Sequence, residues 1–143
     1  MSETTHPSGL TPQQITELRQ LAAKAAEKSY SPYSKFRVGA AVLLEDGGIF
    51  SGANIENASY RLTICAENSA IANAIGDRGP KIRLRAVAVA NLNDAASLPC
   101  GACRQILLEF GTPETWIFGP GEDGPKEITL GGLLPFGFHL EQD

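Results

Sequence analysis

Apolar residues recur at helical spacing early in the chain, where Ile15, Leu18, Ala22 and Ala25 mark one face and Glu17, Arg19, Lys24 and Lys28 fill the rest. Thr11-Pro12-Gln13-Gln14 opens that pattern as a helix start: a hydroxyl to cap, proline at the first helical position and Gln14 to complete a capping box. The predicted helix runs to about Tyr30, where Ser31-Pro32-Tyr33-Ser34 breaks it, and residues 1–10 before it are expected to be a flexible tail. Residues 36–44 are rich in Val, Leu and Ala; Glu45-Asp46-Gly47-Gly48 then supplies turn chemistry before a second apolar run over 49–53, which together predict a β-hairpin. Thr63 is placed to cap a helix over about 64–75, with Gly76 as its stop and 77–80 as the following loop. Residues 84–90 read as a third strand, and Pro99 precedes a helix over 100–110 that Gly111 ends. A short strand over 115–118, a polar loop over 119–125, a last strand over 128–130 and a helical turn over 131–134 complete the pass. Strands alternating with helices after an opening hairpin predict one α/β domain over 1–143, a three-layer α/β/α sandwich around a mixed sheet of about five strands.

A chain of 143 residues with 43% hydrophobic and 20% charged positions has the makeup of one globular domain, which excludes a disordered or fibrous reading. No apolar run approaches the ~18 residues of a membrane span, and the first residues lack the basic-then-apolar order of a signal peptide, so a cytoplasmic location is expected. Twelve basic against sixteen acidic residues give a net charge of −4 and a pI near 5.2, which disfavours a long nucleic-acid substrate.

The chemistry lies in three cysteines. In a reducing compartment thiols serve metals or catalysis more often than disulfides, and with only His6 and His139 available, a histidine-rich metal site or a Ser-His-Asp triad is disfavoured. Cys100-Gly101-Ala102-Cys103 puts two thiols on one side of a helix start; alone this spacing reads equally as a metal pair, a redox dithiol or a coincidence. Cys65 also falls at a predicted helix start, two residues before Glu67. Three thiolates without a fourth soft ligand leave one position of a tetrahedral zinc open to water, as a catalytic site requires. Glu67 alone would be an ordinary first-turn acid favoured by the helix dipole; beside such a site it becomes a candidate proton shuttle.

Cys65-Ala66-Glu67 followed by Pro99-Cys100-Gly101-Ala102-Cys103 resembles the zinc-dependent cytidine deaminase superfamily in its three-cysteine form. The segments 31–40 and 50–60 resemble the small free-nucleoside members, and the resemblance spans roughly residues 15–140. It implies Zn²⁺ as cofactor and hydrolysis of cytidine and 2′-deoxycytidine in pyrimidine salvage by a homotetramer. Activated water would attack C4 with Glu67 relaying its proton. It further implies that Asn54 and Glu56 hydrogen-bond the ribose, that Phe36 packs on the pyrimidine, that Ala66 and Tyr60 border the substrate, and that Phe138 reaches a neighbouring subunit's site. Without the family, Asn54 and Glu56 read as solvated loop groups and Phe36 as strand core. One departure stands out: the family usually has an arginine after Cys-Ala-Glu, where this chain has Asn68, and Arg104 is the candidate substitute. A same-fold deaminase of another aminopyrimidine nucleoside and a non-catalytic zinc-stabilised module are the alternative readings; a nucleic-acid-editing enzyme is disfavoured by the acidic chain.

Overall fold

The computed structural model describes residues 6–140. Helix α1 (Pro12–Ala26) begins with the expected capping box: the Thr11 hydroxyl accepts from the Gln14 amide, and the Gln14 side chain accepts from the Thr11 amide. It stops four residues before Tyr30, because the Tyr30 backbone pairs instead with the far end of the hairpin, donating to Asn54 O at 3.0 Å and accepting from Glu56 N at 2.8 Å. The hairpin forms as β1 (Val38–Leu44) and β2 (Ile49–Ala53), followed by a 3-10 turn (Tyr60–Leu62), α2 (Ala66–Arg78) and β3 (Leu84–Asn91). Then come α3 (Gly101–Phe110), β4 (Trp116–Gly121), β5 (Gly124–Thr129) and α4 (Leu130–Leu133).

The sheet has the order β2-β1-β3-β4-β5, antiparallel except for the parallel β3–β4 pair that α3 crosses between. Its side chains alternate between two cores, as the two-residue period of a strand requires. Ala41, Ala86 and Ala88 face α1 through Leu18 and Ala22, whereas Ala40, Val42, Val87 and Val89 face the side covered by α2, α3 and α4. The result is the expected three-layer α/β/α sandwich around a mixed five-stranded sheet. Small residues let the layers close tightly: a Cβ on Gly39 would lie 2.0 Å from Ala22 O of α1, and one on Gly52 would lie 2.6 Å from Ala70 N of α2. Gly52 therefore sets how deeply the first turns of α2 seat on the sheet edge.

Four expectations need correction. Residues 6–10 are no tail: Leu10 is 1% exposed, and the His6 ring packs edge-on against Trp116 at 4.6 Å. Residues 1–5 lie outside the described residues. The N-cap position of α2 is Cys65, whose side chain makes no capping bond, and not Thr63, whose hydroxyl accepts from Asn57 N at 3.4 Å; Ile64 instead pairs with Ile55 at 2.8 Å in both directions. The helix also runs through Gly76, a solvent-facing position, and ends at Gly79, whose φ of 86° suits glycine. Finally, 119–125 is not a free loop. Gly119–Gly121 and Gly124–Pro125 pair in a β4–β5 hairpin that carries Pro120 opposite Pro125.

Candidate active site and metal centre

Helices α2 and α3 both start where β2 and β3 end, and β1 begins at the same end of the sheet because it runs antiparallel to both. Segments leading into β1, leaving β2, leaving β3 and opening both helices therefore converge, and crevices at the carboxyl ends of strands are where open α/β sheets place their ligands. A cavity of about 380 Å³ occupies this position. Phe36, Asn54, Glu56, Tyr60, Cys65, Ala66, Glu67, Cys100 and Cys103 all border it. Phe138 does not: it lies in the C-terminal segment at 62% exposure, its carbonyl accepting from Gln105 Nε2 at 2.8 Å.

The three thiols come together from two helix caps. Cys65 is the N-cap of α2 and Cys100 the N-cap of α3, with Cys103 one turn on; their Sγ atoms all lie within 4.8 Å of one another. Zinc–thiolate bonds of about 2.3 Å in tetrahedral geometry separate sulfurs by about 3.8 Å, so this cluster suits one zinc ion with little adjustment. Among the described residues it is the one group of three or more His, Cys, Asp or Glu side chains able to share an ion. Its protonation points the same way. Hydrogen bonding from Cys103 brings Cys65 down to about 7, while that bond, burial and the nearby Glu67 push the Cys103 thiol far up. Three adjacent thiolates cannot persist there without a cation to offset them. Cys103 N also donates to Cys100 Sγ at 3.5 Å, which adds a backbone dipole to the same offset.

Glu67 sits in the first turn of α2 at 5% exposure. Loss of water around its carboxyl holds its pKa above the ordinary carboxylate range, against the opposing pull of its own backbone amide and the Cys103 thiol. A carboxyl tuned upward in a cleft beside a metal cluster has the properties of a general acid/base.

Asn54 and Glu56, which line the same cavity, are buried, at 9% and 6% exposure, and are held by many bonds. Asn54 Oδ1 accepts from Val38 N at 3.0 Å and from the Ser29 hydroxyl, and Asn54 Nδ2 donates to Phe36 O at 2.9 Å. Glu56 Oε1 accepts from Tyr33 N at 3.0 Å and Ser34 N at 3.1 Å, and Oε2 accepts from the Ser34 hydroxyl. With two donors on the amide and about four acceptor sites on the carboxylate, one N–H and one lone pair remain for another molecule. A hydroxyl group, which both accepts and donates, satisfies the two together.

Ser34, Thr63, Val89, Ser97 and Leu98 also line the cavity, and the sequence reading gave none of them a place in the site. Small polar residues of turns carry no periodic signal, and only the position of Ser34 within the 31–40 segment hinted at a role. Arg104 does not substitute at the thiols: its guanidinium donates to Pro99 O at 2.6 Å and Leu133 O at 3.0 Å, which anchors the backbone just before Cys100. Asn68 is half-buried on α2.

Known proteins resemble this chain in sequence and in fold. Residues 12–119 match the family described as the cytidine and deoxycytidylate deaminase zinc-binding region. The chain is 44% identical over 123 residues to a cytidine deaminase of Halalkalibacterium halodurans, covering 84% of this chain and 90% of that one. It is 45% identical to a cytidine deaminase of Mycobacterium tuberculosis, covering 87% and 89%. A crystal structure of cytidine deaminase from Mycobacterium tuberculosis superimposes with a TM-score of 0.77 at 42% identity, over 87% of this chain and 97% of that one. With its thiol cluster, buried carboxyl and three-layer fold, the chain belongs to the zinc-binding cytidine and deoxycytidylate deaminase family.

Proposed function

We propose that this chain hydrolyses the exocyclic amine of cytidine and 2′-deoxycytidine, giving uridine or 2′-deoxyuridine and ammonia, as a step of pyrimidine salvage. The observation that carries the reading is one cavity lined by a three-thiol cluster, by Glu67 and by the buried Asn54–Glu56 pair. Cys65, Cys100 and Cys103 would hold the zinc, which when bound supplies a Lewis acid and a water of lowered pKa. Glu67 takes one proton of the attacking water and delivers it to N3 as C4 becomes tetrahedral; it then takes the remaining proton of the hydroxyl now on C4 and passes it to the amine, so that the C4 carbonyl forms as the C4–N bond breaks and ammonia leaves. Its burial suits the role, because a carboxyl that is neither strongly acidic nor solvated can both accept and return a proton. Phe36 and Ala66 border the pyrimidine, while Asn54 and Glu56 bind one sugar hydroxyl between them.

No helix among the described residues is long and apolar enough to cross a membrane, and three free cysteines suit a reducing interior, which supports a cytoplasmic enzyme. A substrate panel tests the assignment: zinc-loaded protein should turn over cytidine and 2′-deoxycytidine well, and cytosine, cytidine 5′-phosphate and oligonucleotides poorly. Preference for another aminopyrimidine nucleoside would redirect the substrate assignment, and failure on every member would favour a non-catalytic zinc module.

The metal assignment leads to its own expectation. Purified protein should contain one zinc per chain by elemental analysis, and Cys103→Ala should lose it and unfold at lower temperature, since metal binding is coupled to folding. Active protein free of zinc would remove the thiol cluster from the account.

A homotetramer is the assembly we infer, with Phe138 entering a neighbouring subunit's cavity and Tyr60 near the interface. Support comes from the apolar side chains left in solvent near the C-terminus and the cavity mouth, with Phe136 at 97%, Leu140 at 79% and Tyr60 at 74% exposure. Light scattering at assay concentration should give four times the chain mass; an active monomer would show that each site is complete within one chain.

A further inference from the structure

The turn before β1 gathers the two ends of substrate recognition onto one small side chain. Ser34 Oγ donates to Glu56 Oε2 and at the same time accepts from Phe36 N at 2.9 Å, while the Ser34 amide donates to Glu56 Oε1 at 3.1 Å. The Phe36 carbonyl is held in turn by Asn54 Nδ2 at 2.9 Å. Both backbone polar groups of Phe36 are thus bonded to the network that includes the sugar-side pair. Between Ser34 and Phe36 stands Lys35 with a φ of 62°, a left-handed conformation that side-chain-bearing residues rarely adopt. The bonds on either side of Lys35 hold the turn against that preference.

We propose that Ser34 is a positioning residue for nucleoside recognition: its hydroxyl fixes the Glu56 carboxylate and ties it to Phe36, so that the sugar-binding and ring-packing groups keep one relative geometry. The proposal rests on the reading of Glu56 as a sugar ligand. Three of about four lone-pair sites on Glu56 are filled from Tyr33 and Ser34, so a free carboxylate that could rotate away from substrate becomes one with a single remaining direction of acceptance. The same hydroxyl is the main reason the Glu56 carboxyl is held below its ordinary pKa, which keeps it an acceptor at neutral pH. Asn54 has a parallel anchor in Ser29, but Ser29 makes no bond to Phe36 among those that join the two groups. Among the described residues, Ser34 alone bonds both Glu56 and Phe36.

Steady-state kinetics on cytidine and cytosine with wild type, Ser34→Ala, Ser34→Thr, Glu56→Ala and the Ser34→Ala/Glu56→Ala pair test this. Ser34→Ala should lower kcat/KM for cytidine roughly 10- to 100-fold, chiefly through KM, the scale of one hydrogen bond to a charged group. Zinc content should stay at the wild-type value, because Ser34 is not a ligand, and the protein should stay folded with only a small drop in unfolding midpoint from the two lost hydroxyl bonds. Ser34→Thr keeps the hydroxyl, with solvent available for its methyl group, and should recover activity to within about threefold. In the Glu56→Ala background Ser34→Ala should cost less than about threefold more, since residues that act through one another are non-additive. Full additivity, or a Ser34→Ala enzyme equal to wild type while Glu56→Ala is impaired, would overturn the proposal and leave the Glu56 assignment standing. A Glu56→Ala enzyme that keeps its preference for cytidine over cytosine would take down both.

Discussion

Glu67→Gln is expected to lower kcat by about 10²- to 10⁴-fold while leaving zinc content and unfolding midpoint close to wild type. The substitution keeps the shape of the side chain and removes only its capacity to gain and lose a proton. At 5% exposure Glu67 has little access to solvent, so bulk water is poorly placed to take over the relay that the reaction requires twice, once towards N3 and once towards the leaving amine. The fold should tolerate the amide, because Glu67 makes no ion pair among the described residues that the change would break. Zinc should stay because the ligands are the three thiols, whose convergence depends on the α2 and α3 caps. Near-wild-type turnover by this variant at neutral pH would remove Glu67 from the mechanism.

Glu56→Ala should separate substrates that differ only in the sugar. For cytidine, kcat/KM should fall by up to ~10⁴-fold, the range by which a site built for a hydroxyl rejects an analogue that cannot use it. Turnover of cytosine, already poor, should hardly change, since the bare base never reaches the pair. The loss comes from the bond between the sugar hydroxyl and the remaining carboxylate lone pair, which only the nucleoside can make. The Tyr33, Ser34 and Ser34-hydroxyl donors that now converge on Glu56 are left to water in the variant, a cost to stability that does not distinguish the two substrates. Equal losses on both substrates would show that Glu56 supports the fold or the thiol cluster, and the sugar assignment would be withdrawn.

How far the chain could be read in advance depended on whether a feature was local. The α1 cap, the hairpin with its Glu45–Gly48 turn, and the placement of Cys65 and Cys100 at helix starts each follow from residues a few positions apart, and each is present in the structure. Gly76 misled because glycine stops a helix only where the backbone needs a positive φ; at an exposed mid-helix position it costs about 1 kcal/mol and the helix continues. The β4–β5 hairpin was hidden by Pro120, Pro125 and a run of exposed residues, since an outer hairpin tolerates proline and buries little of its edge strand. His6 and Leu10 needed partners that only the fold supplies, Trp116 and Phe118 being over a hundred positions away.

The site divides along the same line. Its thiols and Glu67 carry chemistry that spacing exposes, whereas the sugar-side pair read as loop polarity until the family resemblance singled it out. Ser34 stayed unseen even then. Its significance is a matter of three atoms meeting across a turn, Glu56 Oε2, Phe36 N and its own hydroxyl, which no pattern of hydrophobicity encodes.

The most direct test of the central claim is a product balance on cytidine incubated with purified, zinc-loaded protein. Uridine and ammonia should appear in equal amounts as cytidine disappears, catalytically and in proportion to protein, with Cys103→Ala protein inactive in the same assay. Cytidine left intact by fully zinc-loaded protein, or consumed without matching ammonia, would contradict it.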